Sequence, residues 1–362
     1  MEPSLFLNLV DKYFPKLVLN IERSINEVDT AKGEKPYYFK RFLGKKWSMD
    51  GRWEALSTFN QRIMADIIAM DSSIPLKSRE RISSATGEIP KMGMEMSLNE
   101  SDLTRLQLLV RANESETRIA ADLFRDVTSV IVGPTERLEW MFLKGLSSGA
   151  TVVEDANNVG VEIRLDFGYR NNFESTTPWV PGQDATLTLL KPMIDAAKNA
   201  GRPIRRMLTD SNTLAIILES KDAAELYAKY TNTMAGITFA PGMDQLNAAT
   251  QREWGFVFEE VERVSRYQIN GVNVDENPWE AGQIVGINNE RLGDVVWADL
   301  AEMGAPVAGV RYQTADDYIL VSKYRLNRPS LQEITNSQAR AVPVISDVAQ
   351  IFKYDTTATA GS

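Results

Sequence analysis

Residues 88–93 read EIPKMG and residues 146–149 read LSSG, and between them the chain changes from extended to helical sequence. The proline and glycine of the first stretch favour extended backbone. SLNESD at 97–102 then supplies side chains that can cap a helix, and leucines recur after it at helical spacing. Residues 88–149 therefore predict an extended strand that leads into a helical rod.

A second helix is predicted to start near Ser115-Glu116, and the length of the helical pattern suggests a structural role. A helix of about 30 residues would span about 45 Å if it were straight, which is longer than a small domain is wide. Gly133-Pro134 is expected to break or kink it, because proline removes a backbone donor and clashes with the preceding turn. We expect this rod to act as a spine.

The sequence before the rod lacks the pattern of a domain core. Residues 1–34 predict one or two short amphipathic segments, which must bury their apolar side on something else. Residues 35–87 mix aromatics with cations, a composition that can bind single-stranded nucleic acid by stacking. In an acidic protein the favoured interpretation is that the cations cover aromatic contacts at a subunit interface.

The sequence after Gly149 predicts a mixed body of strands and helices. The alternation in residues 161–167 indicates a half-buried hairpin strand, and Asn270-Gly271 predicts a turn between later strands. From residue 353 onward the chain is polar and small, and we expect a tail that does not pack.

Composition excludes several classes of chemistry. The 362 residues include no cysteine and no histidine, which removes thiol catalysis, disulfides, Ser-His-Asp catalysis and most zinc or iron sites. A net charge of −9 argues against general binding of nucleic acid. No stretch is long and apolar enough to span a membrane, and the N-terminus has no signal-peptide pattern, so cytosolic synthesis is expected.

Carboxylates are the remaining candidates for catalysis. Glu260 and Glu262 would share one face of a predicted strand, with Glu259 on the other, which is typical of a solvated strand face. Asp316-Asp317 is typical of a turn, and Gly282–Gly286 lacks the Lys-Ser/Thr of a phosphate-binding loop. We therefore expect no enzyme, no cofactor and no metal, and a carboxylate-based hydrolase remains the weakest alternative.

The order of several short motifs resembles a known family. They are AMDSSIP at 69–75, GEIPKMG at 87–93 leading to LNE at 98–100, ERLEW at 136–140 before LSSG, and YRLNRP at 324–329 followed by AVPV at 341–344. In this order they are similar to the major capsid proteins of tailed phages with the HK97-type fold, within the group related to the lambda capsid protein, phage major capsid protein E.

The resemblance implies an α+β chain with the HK97-type capsid fold. Its parts would be an N-terminal arm (1–34), an extended E-loop (35–100), a spine helix (101–149), peripheral P-domain strands (150–177 and 318–352), an axial A-domain (178–317) and a flexible tail (353–362).

The resemblance also implies a function and partners. Subunits would form the hexamers and pentamers of an icosahedral phage head that encloses double-stranded DNA without sequence-specific binding. A separate scaffolding protein, a portal and optionally a decoration protein would be partners, and assembly would take place in the host cytoplasm. The alternative within the same fold is an encapsulin-like cellular compartment.

Charged residues of the loop and the spine are the candidate contact residues. A projecting arm and loop cannot bury apolar residues within their own subunit, so we expect them to dock on a neighbour. The candidate inter-subunit charge partners are Arg79, Arg81, Glu88 and Lys91 in the loop and Glu136, Arg137 and Glu139 on the spine.

Overall fold

The chain forms two units, each with its own sheet and helices. The computed structural model describes residues 1–27, 36–57, 83–154, 162–231, 240–269, 272–288 and 291–358. The first unit comprises Met1–Trp53, Gly87–Leu143 and Asp294–Val344, and the second comprises Glu54–Thr86, Lys144–Gly293 and Ile345–Ser362.

Helices occur in both units. They are α1 (Leu7–Asn26), α2 (Tyr38–Phe42), α3 (Glu100–Arg111), α4 (Glu116–Leu123), α5 (Val127–Ser148), α6 (Leu187–Asn199), α7 (Ser211–Glu219), α8 (Lys221–Thr231), α9 (Met243–Glu253) and α10 (Ala301–Gly304).

A short 3₁₀ helix lies at Val348–Gln350, and the remaining described elements are strands. They are β1 (Leu43–Trp47), β2 (Arg52–Ser57), β3 (Ser83–Glu88), β4 (Lys91–Leu98), β5 (Ala150–Glu154), β6 (Glu162–Asp166), β7 (Asn171–Glu174), β8 (Arg206–Thr209), β9 (Val257–Glu260), β10 (Ser265–Ile269), β11 (Val272–Glu276), β12 (Gln283–Ile287), β13 (Gly293–Trp297), β14 (Arg311–Ala315), β15 (Ile319–Leu326), β16 (Gln332–Ile345) and β17 (Ile351–Asp355).

The first unit is built around the 14-residue strand β16. The sheet order is β1-β13-β16-β15-β14, and β4 also pairs with β16. Glu333 of β16 lies opposite both Leu98 of β4 and Arg325 of β15 in antiparallel register. The extended stretch that precedes the predicted rod is therefore a full strand of this sheet.

The second unit contains a mixed five-stranded sheet in the order β7-β17-β12-β8-β9. β12 is antiparallel to its two neighbours, whereas β7 and β9 run parallel to theirs. Its core includes Leu190, Met207, Phe258, Ile284 and Phe352, which contribute apolar side chains from α6 and from four of the strands. Two ribbons, β5–β6 and β10–β11, form separate two-stranded sheets.

The predicted start of a second helix near Ser115-Glu116 is confirmed, whereas the sequence pattern did not predict the break between Leu123 and Val127. The helical sequence forms three helices, because Asn113 adopts a positive φ of 53° after α3 and the Ser115 side chain accepts a hydrogen bond from Arg118 N to start α4. The third, α5, has 22 residues and runs through Pro134 without ending there. At 1.5 Å per residue α5 spans about 33 Å.

The predicted tail is also wrong in its first residues. Residues 351–355 form β17, which lies between β7 and β12 in the sheet of the second unit. Tyr354 and Thr356 are buried, and the Tyr354 ring lies 5.7 Å from that of Trp179. The small, polar residues that follow obscured this short strand.

The predicted domain boundaries differ from the observed units in several places, two of which concern strands of the large sheets. Residues 150–177 belong to the second unit with most of 178–317, because β7 pairs with β17 in its sheet. Residues 294–317 belong instead to the first unit, where β14 extends the sheet beside β15.

Two further predictions concern a turn and the absence of a membrane-spanning segment. The predicted turn at Asn270-Gly271 lies outside the described residues. Among the residues that are described, no helix combines the length and the apolarity needed to cross a bilayer.

Candidate assembly site

The N-terminal arm, residues 1–27, packs on its own chain. Helix α1 buries Val10, Phe14, Val18 and Ile21, which recur at helical spacing on one face. The Phe14 ring stacks on Phe124 with a centroid distance of 6.2 Å. The expectation that the arm must bury its apolar side on a neighbour is therefore wrong for α1.

Polar contacts hold the first half of the same arm. Glu2 forms an antiparallel backbone bridge and an ion pair with Arg325 of β15. Asp11 of α1 accepts two hydrogen bonds from the Arg311 guanidinium, at 2.6 and 3.2 Å, which hold the pKa of Asp11 below its ordinary value. Lys12 pairs with Glu116.

A buried carboxylate binds the first residues of the arm. Glu333 Oε1 accepts hydrogen bonds from Ser4 Oγ at 3.0 Å and from Leu5 N at 2.6 Å. Burial raises the pKa of Glu333. Lys323 on the neighbouring strand is fully buried and donates to Leu123 O and Thr335 Oγ1, and burial lowers its pKa to about 8.

Sequence reasoning missed both of these residues. Lys323 comes two positions after the apolar run 318–321, and nothing in its sequence neighbourhood marks it as buried. The structure continues β15 to Leu326 with Lys323 fully buried. No local pattern distinguishes a buried lysine from one that ends a strand.

Four of the six aromatics of residues 35–53 are core residues, whereas Trp47 is 49% exposed and Tyr37 is half-buried. Tyr38, Phe39, Phe42 and Trp53 are all buried within the first unit. The Arg41 guanidinium lies 4.9 Å from the centroid of the Phe42 ring. Arg41 therefore covers an aromatic side chain, as expected, but the four buried aromatics pack within the subunit and not at an interface.

Glu139 explains how α2 is held in place. Its side chain is fully buried, and its two oxygens accept hydrogen bonds from the backbone N–H groups of Tyr38 at 2.9 Å and Phe39 at 3.0 Å. No side chain near Tyr37 caps this short helix. Glu139 of α5 therefore satisfies backbone donors that a local cap would satisfy elsewhere, and its predicted role as an inter-subunit charge is wrong.

The other predicted contact residues are distributed over the loop and α5. Glu88 and Lys91 are exposed on either side of Ile89-Pro90 at the root of the loop. Glu136 is half-buried and accepts a hydrogen bond from the Tyr37 hydroxyl at 2.7 Å. Arg137 lies 5.6 Å from the centroid of the Trp140 ring. Arg79 and Arg81 lie outside the described residues.

An ionic cluster joins the end of the arm to the β14–β15 turn. Asp316 and Asp317 have φ angles of 54° and 70°, so they form the predicted turn with both residues in the left-handed region. Lys40 and Lys45 pair with Asp316, and Lys45 also pairs with Asp317 at 2.8 Å. Asn26 of α1 donates to Asp316 at 3.3 Å. Except for Asp317, these groups line a cavity of about 230 Å³.

These charges also set the pKa of Asp316. Burial alone would raise it, but the charge of Lys40, with its hydrogen bond, and the charge of Lys45 outweigh burial and hold the pKa below the ordinary value. The cluster is therefore held together by ionised groups.

Carboxylates that could suggest catalysis are dispersed. Glu259 pairs with Arg206 at 3.3 Å on neighbouring strands. Within the described residues there is no group of three or more acidic side chains placed to hold a metal ion. The geometry described here serves packing and anchoring of the chain.

Comparisons with known proteins identify the family. The sequence matches the family described as Phage major capsid protein E over residues 61–288. No curated protein matches significantly. The putative capsid protein of a prophage of E. coli CFT073 is similar in fold, with a TM-score of 0.56 at 13% identity, over 94% of this chain and 99% of that chain.

Two other solved structures match at lower similarity. A phage-related protein of Bordetella bronchiseptica RB50 has a TM-score of 0.48 at 11% identity, over 96% of this chain and 97% of that chain. The capsid of cyanophage A-1(L) has a TM-score of 0.44 at 14% identity, over 88% of this chain and 90% of that chain. The predicted resemblance is confirmed, because the family match covers more than half of the chain. The chain belongs to the phage major capsid protein E family, and it is a phage capsid protein with the HK97-type fold.

Proposed function

We propose that this chain builds the icosahedral head of a tailed phage as hexamers and pentamers, and that the shell encloses double-stranded DNA. The observation that carries the proposal is the match to the phage major capsid protein E family over residues 61–288. Assembly takes place in the host cytoplasm, and a separate scaffolding protein, a portal and optionally a decoration protein are the proposed partners.

The domain roles follow from the same proposal. The first unit, with the arm and α5, serves as the peripheral domain, and residues 178–293 of the second unit serve as the axial domain. The arm helix α1 already buries its apolar face in its own chain, so the arm is packed before subunits assemble. Contacts between subunits then use surface that remains exposed in the single chain.

Charges at the root of the loop are the proposed contacts. Glu88 and Lys91 are exposed and of opposite sign, as a reciprocal contact with neighbouring subunits requires. Arg79, Arg81, Glu136 and Arg137 complete the proposed set. Each exposed pair contributes at most about 1 kcal/mol, so such contacts are individually weak and become effective only through the many copies in a shell.

The net negative charge of the chain is compatible with a shell that encloses DNA. A net charge of −9 gives little attraction for phosphates, and sequence-specific binding is not required to fill a shell. A weakly repulsive lining allows the polymer to be packed and released again.

Electron microscopy of the full-length chain, produced with and without its scaffolding protein, tests assembly. We expect closed shells with fivefold and sixfold capsomers. Monodisperse monomers under every assembly condition would refute the shell role. DNA that is protected from nuclease inside particles isolated from phage-producing cells supports the phage head, whereas shells filled with a protein cargo and lacking DNA support the encapsulin-type alternative.

A charge-reversal pair tests the loop contacts. Lys91→Glu should lower the yield of shells, and high salt should reduce the difference from wild type because screening weakens exposed pairs. The matched control is Lys221→Glu, which makes the same charge change at an exposed lysine of the second unit. Equal shell yields from both variants would contradict the role given to Lys91.

A further inference from the structure

The β10–β11 ribbon of the second unit is a two-stranded sheet of its own. Its register runs from Ser265 opposite Glu276 to Ile269 opposite Val272. Among the described strands none extends this pair into a larger sheet. An isolated two-stranded hairpin is marginally stable in water and needs an apolar face packed on something.

The two faces of the ribbon differ sharply in chemistry. On one face Arg266 donates two hydrogen bonds to the Asp275 carboxylate, at 2.6 and 3.0 Å, and Gln268 donates to Asn273 at 2.9 Å. Side chains alternate along a strand, and directly opposed residues share a face. The polar face thus satisfies its charges and amides internally.

The other face is apolar toward the tip and incompletely covered, and Ser265 and Glu276 lie opposite one another at its base. Tyr267 lies opposite Val274, and Val272 follows on the same face toward the tip. Val272 is 65% exposed, and Tyr267 and Val274 are half-buried. None of these three residues belongs to the described hydrophobic core of the second unit. The described residues therefore leave this stripe partly open to solvent, most of all at Val272.

We propose that the apolar face formed by Tyr267, Val272 and Val274 docks on a second copy of this chain. This proposal rests on the proposed shell function and names one of its contact surfaces. The Arg266–Asp275 ion pair neutralises the face behind the stripe, so the ribbon presents no cationic surface for DNA.

Charge also favours a second copy as the occupant. Each chain carries a net charge of −9, so two copies repel one another where their acidic surfaces meet. An uncharged apolar stripe is a surface on which such copies can meet without that repulsion, and fully buried interface centres are depleted of charge in general. In a shell, a second copy is also the partner present at the highest local concentration.

Matched substitutions on the two faces test the docking. Val272→Asp places a charge on the apolar face, and Asn273→Asp makes the same charge change on the adjacent position of the polar face. Both positions are exposed in the single chain, so both variants should keep the circular dichroism and thermal unfolding of the unassembled wild-type subunit. We expect Val272→Asp to lose shell formation and Asn273→Asp to retain it.

Thiol accessibility reports what covers the stripe. The chain has no cysteine, so Val272→Cys and Asn273→Cys each introduce the only thiol. We expect the thiol at 272 to react freely with a maleimide in the unassembled subunit and to become protected in assembled shells, while that at 273 stays reactive in both. A thiol at 272 that stays equally reactive after assembly would overturn the proposal.

The outcomes separate this inference from the function on which it rests. If the wild-type chain forms no shells, the shell function fails. If wild-type and Val272→Asp chains form shells equally well, or if both aspartate variants lose assembly equally, the docking proposal fails and the shell function stands.

Discussion

Glu139 allows the most direct test of how the first unit holds its aromatic segment. The substitution Glu139→Ala removes a fully buried carboxylate and leaves the N–H groups of Tyr38 and Phe39 without their acceptor. Hydrogen bonds to a charged group contribute about 1.5–3 kcal/mol each, and an orphaned buried donor carries its own desolvation cost. Two such bonds give an expected loss of about 3–5 kcal/mol in the free energy of unfolding.

The matched control lies one helical turn away on α5. Glu136 is only half-buried, and it accepts a hydrogen bond from the Tyr37 hydroxyl. Glu136→Ala makes the same change in the same helix, and the expected loss is about 1 kcal/mol. Glu139→Gln keeps one acceptor oxygen and replaces the other with a donor, so its loss should fall between those of the two alanine variants.

Denaturant unfolding of the unassembled full-length subunit, followed by tryptophan fluorescence, gives the three free energies. Hydrogen exchange adds a local readout, because the amides of Tyr38 and Phe39 should exchange faster in Glu139→Ala than in Glu136→Ala. If Glu139→Ala costs no more than Glu136→Ala, or if Glu139→Gln is as stable as wild type, the carboxylate does not hold α2.

Three further substitutions test other parts of the structure. The pKa of Asp316 is lower in the folded state than in the unfolded state, so its contribution to stability is present above the unfolded pKa and is lost as the pH falls through the folded pKa. Asp316→Asn should therefore reduce the acid-induced loss of melting temperature, and asparagine tolerates the positive φ at this position. Lys323 has a folded pKa of about 8, so between about pH 8 and 10.5 this lysine stays protonated only in the unfolded state. The free energy of unfolding should therefore rise over that range, and Lys323→Met should remove the rise. A Cβ on Gly145 would lie 2.5 Å from the Phe167 ring, so Gly145→Ala should cost about 1–3 kcal/mol by denaturant unfolding, whereas Gly304→Ala, with open space around it, should not.

The family and the α+β fold could be predicted from the sequence because the motifs occur in a fixed order. The extended stretch before Leu98, the capping residues Asn99 and Asp102, and the helical pattern after them all depend on local chemistry. The structure confirms the local capping: Asn99 accepts from Asp102 N, and Asp102 accepts from Asn99 N. Such signals lie within a few residues of one another and need no knowledge of the rest of the chain.

The partners of buried groups could not be predicted in the same way. The Glu139 carboxylate and the Tyr38 amide it binds are 101 positions apart, and Ser4 and Glu333 are 329 apart. Nothing in either neighbourhood specifies the other. A glutamate on a helix was interpreted as a surface charge because most are exposed, and burial with two bound amides changes that role.

The same reasoning explains why the arm was assigned to a neighbouring subunit. An apolar stripe shows that a segment needs a partner surface, but it does not show whether that surface belongs to the same chain. Here α4 and the strand β14 supply it, and they follow the arm by about a hundred and three hundred residues. Once α1 has been packed there, its stripe is no longer available for assembly.

The stripe on β10–β11 differs in this respect, because Val272 remains 65% exposed after the contacts within the described chain have formed. Surfaces for contact between copies are therefore better sought among the apolar residues that the folded chain leaves exposed than among all amphipathic segments of the sequence.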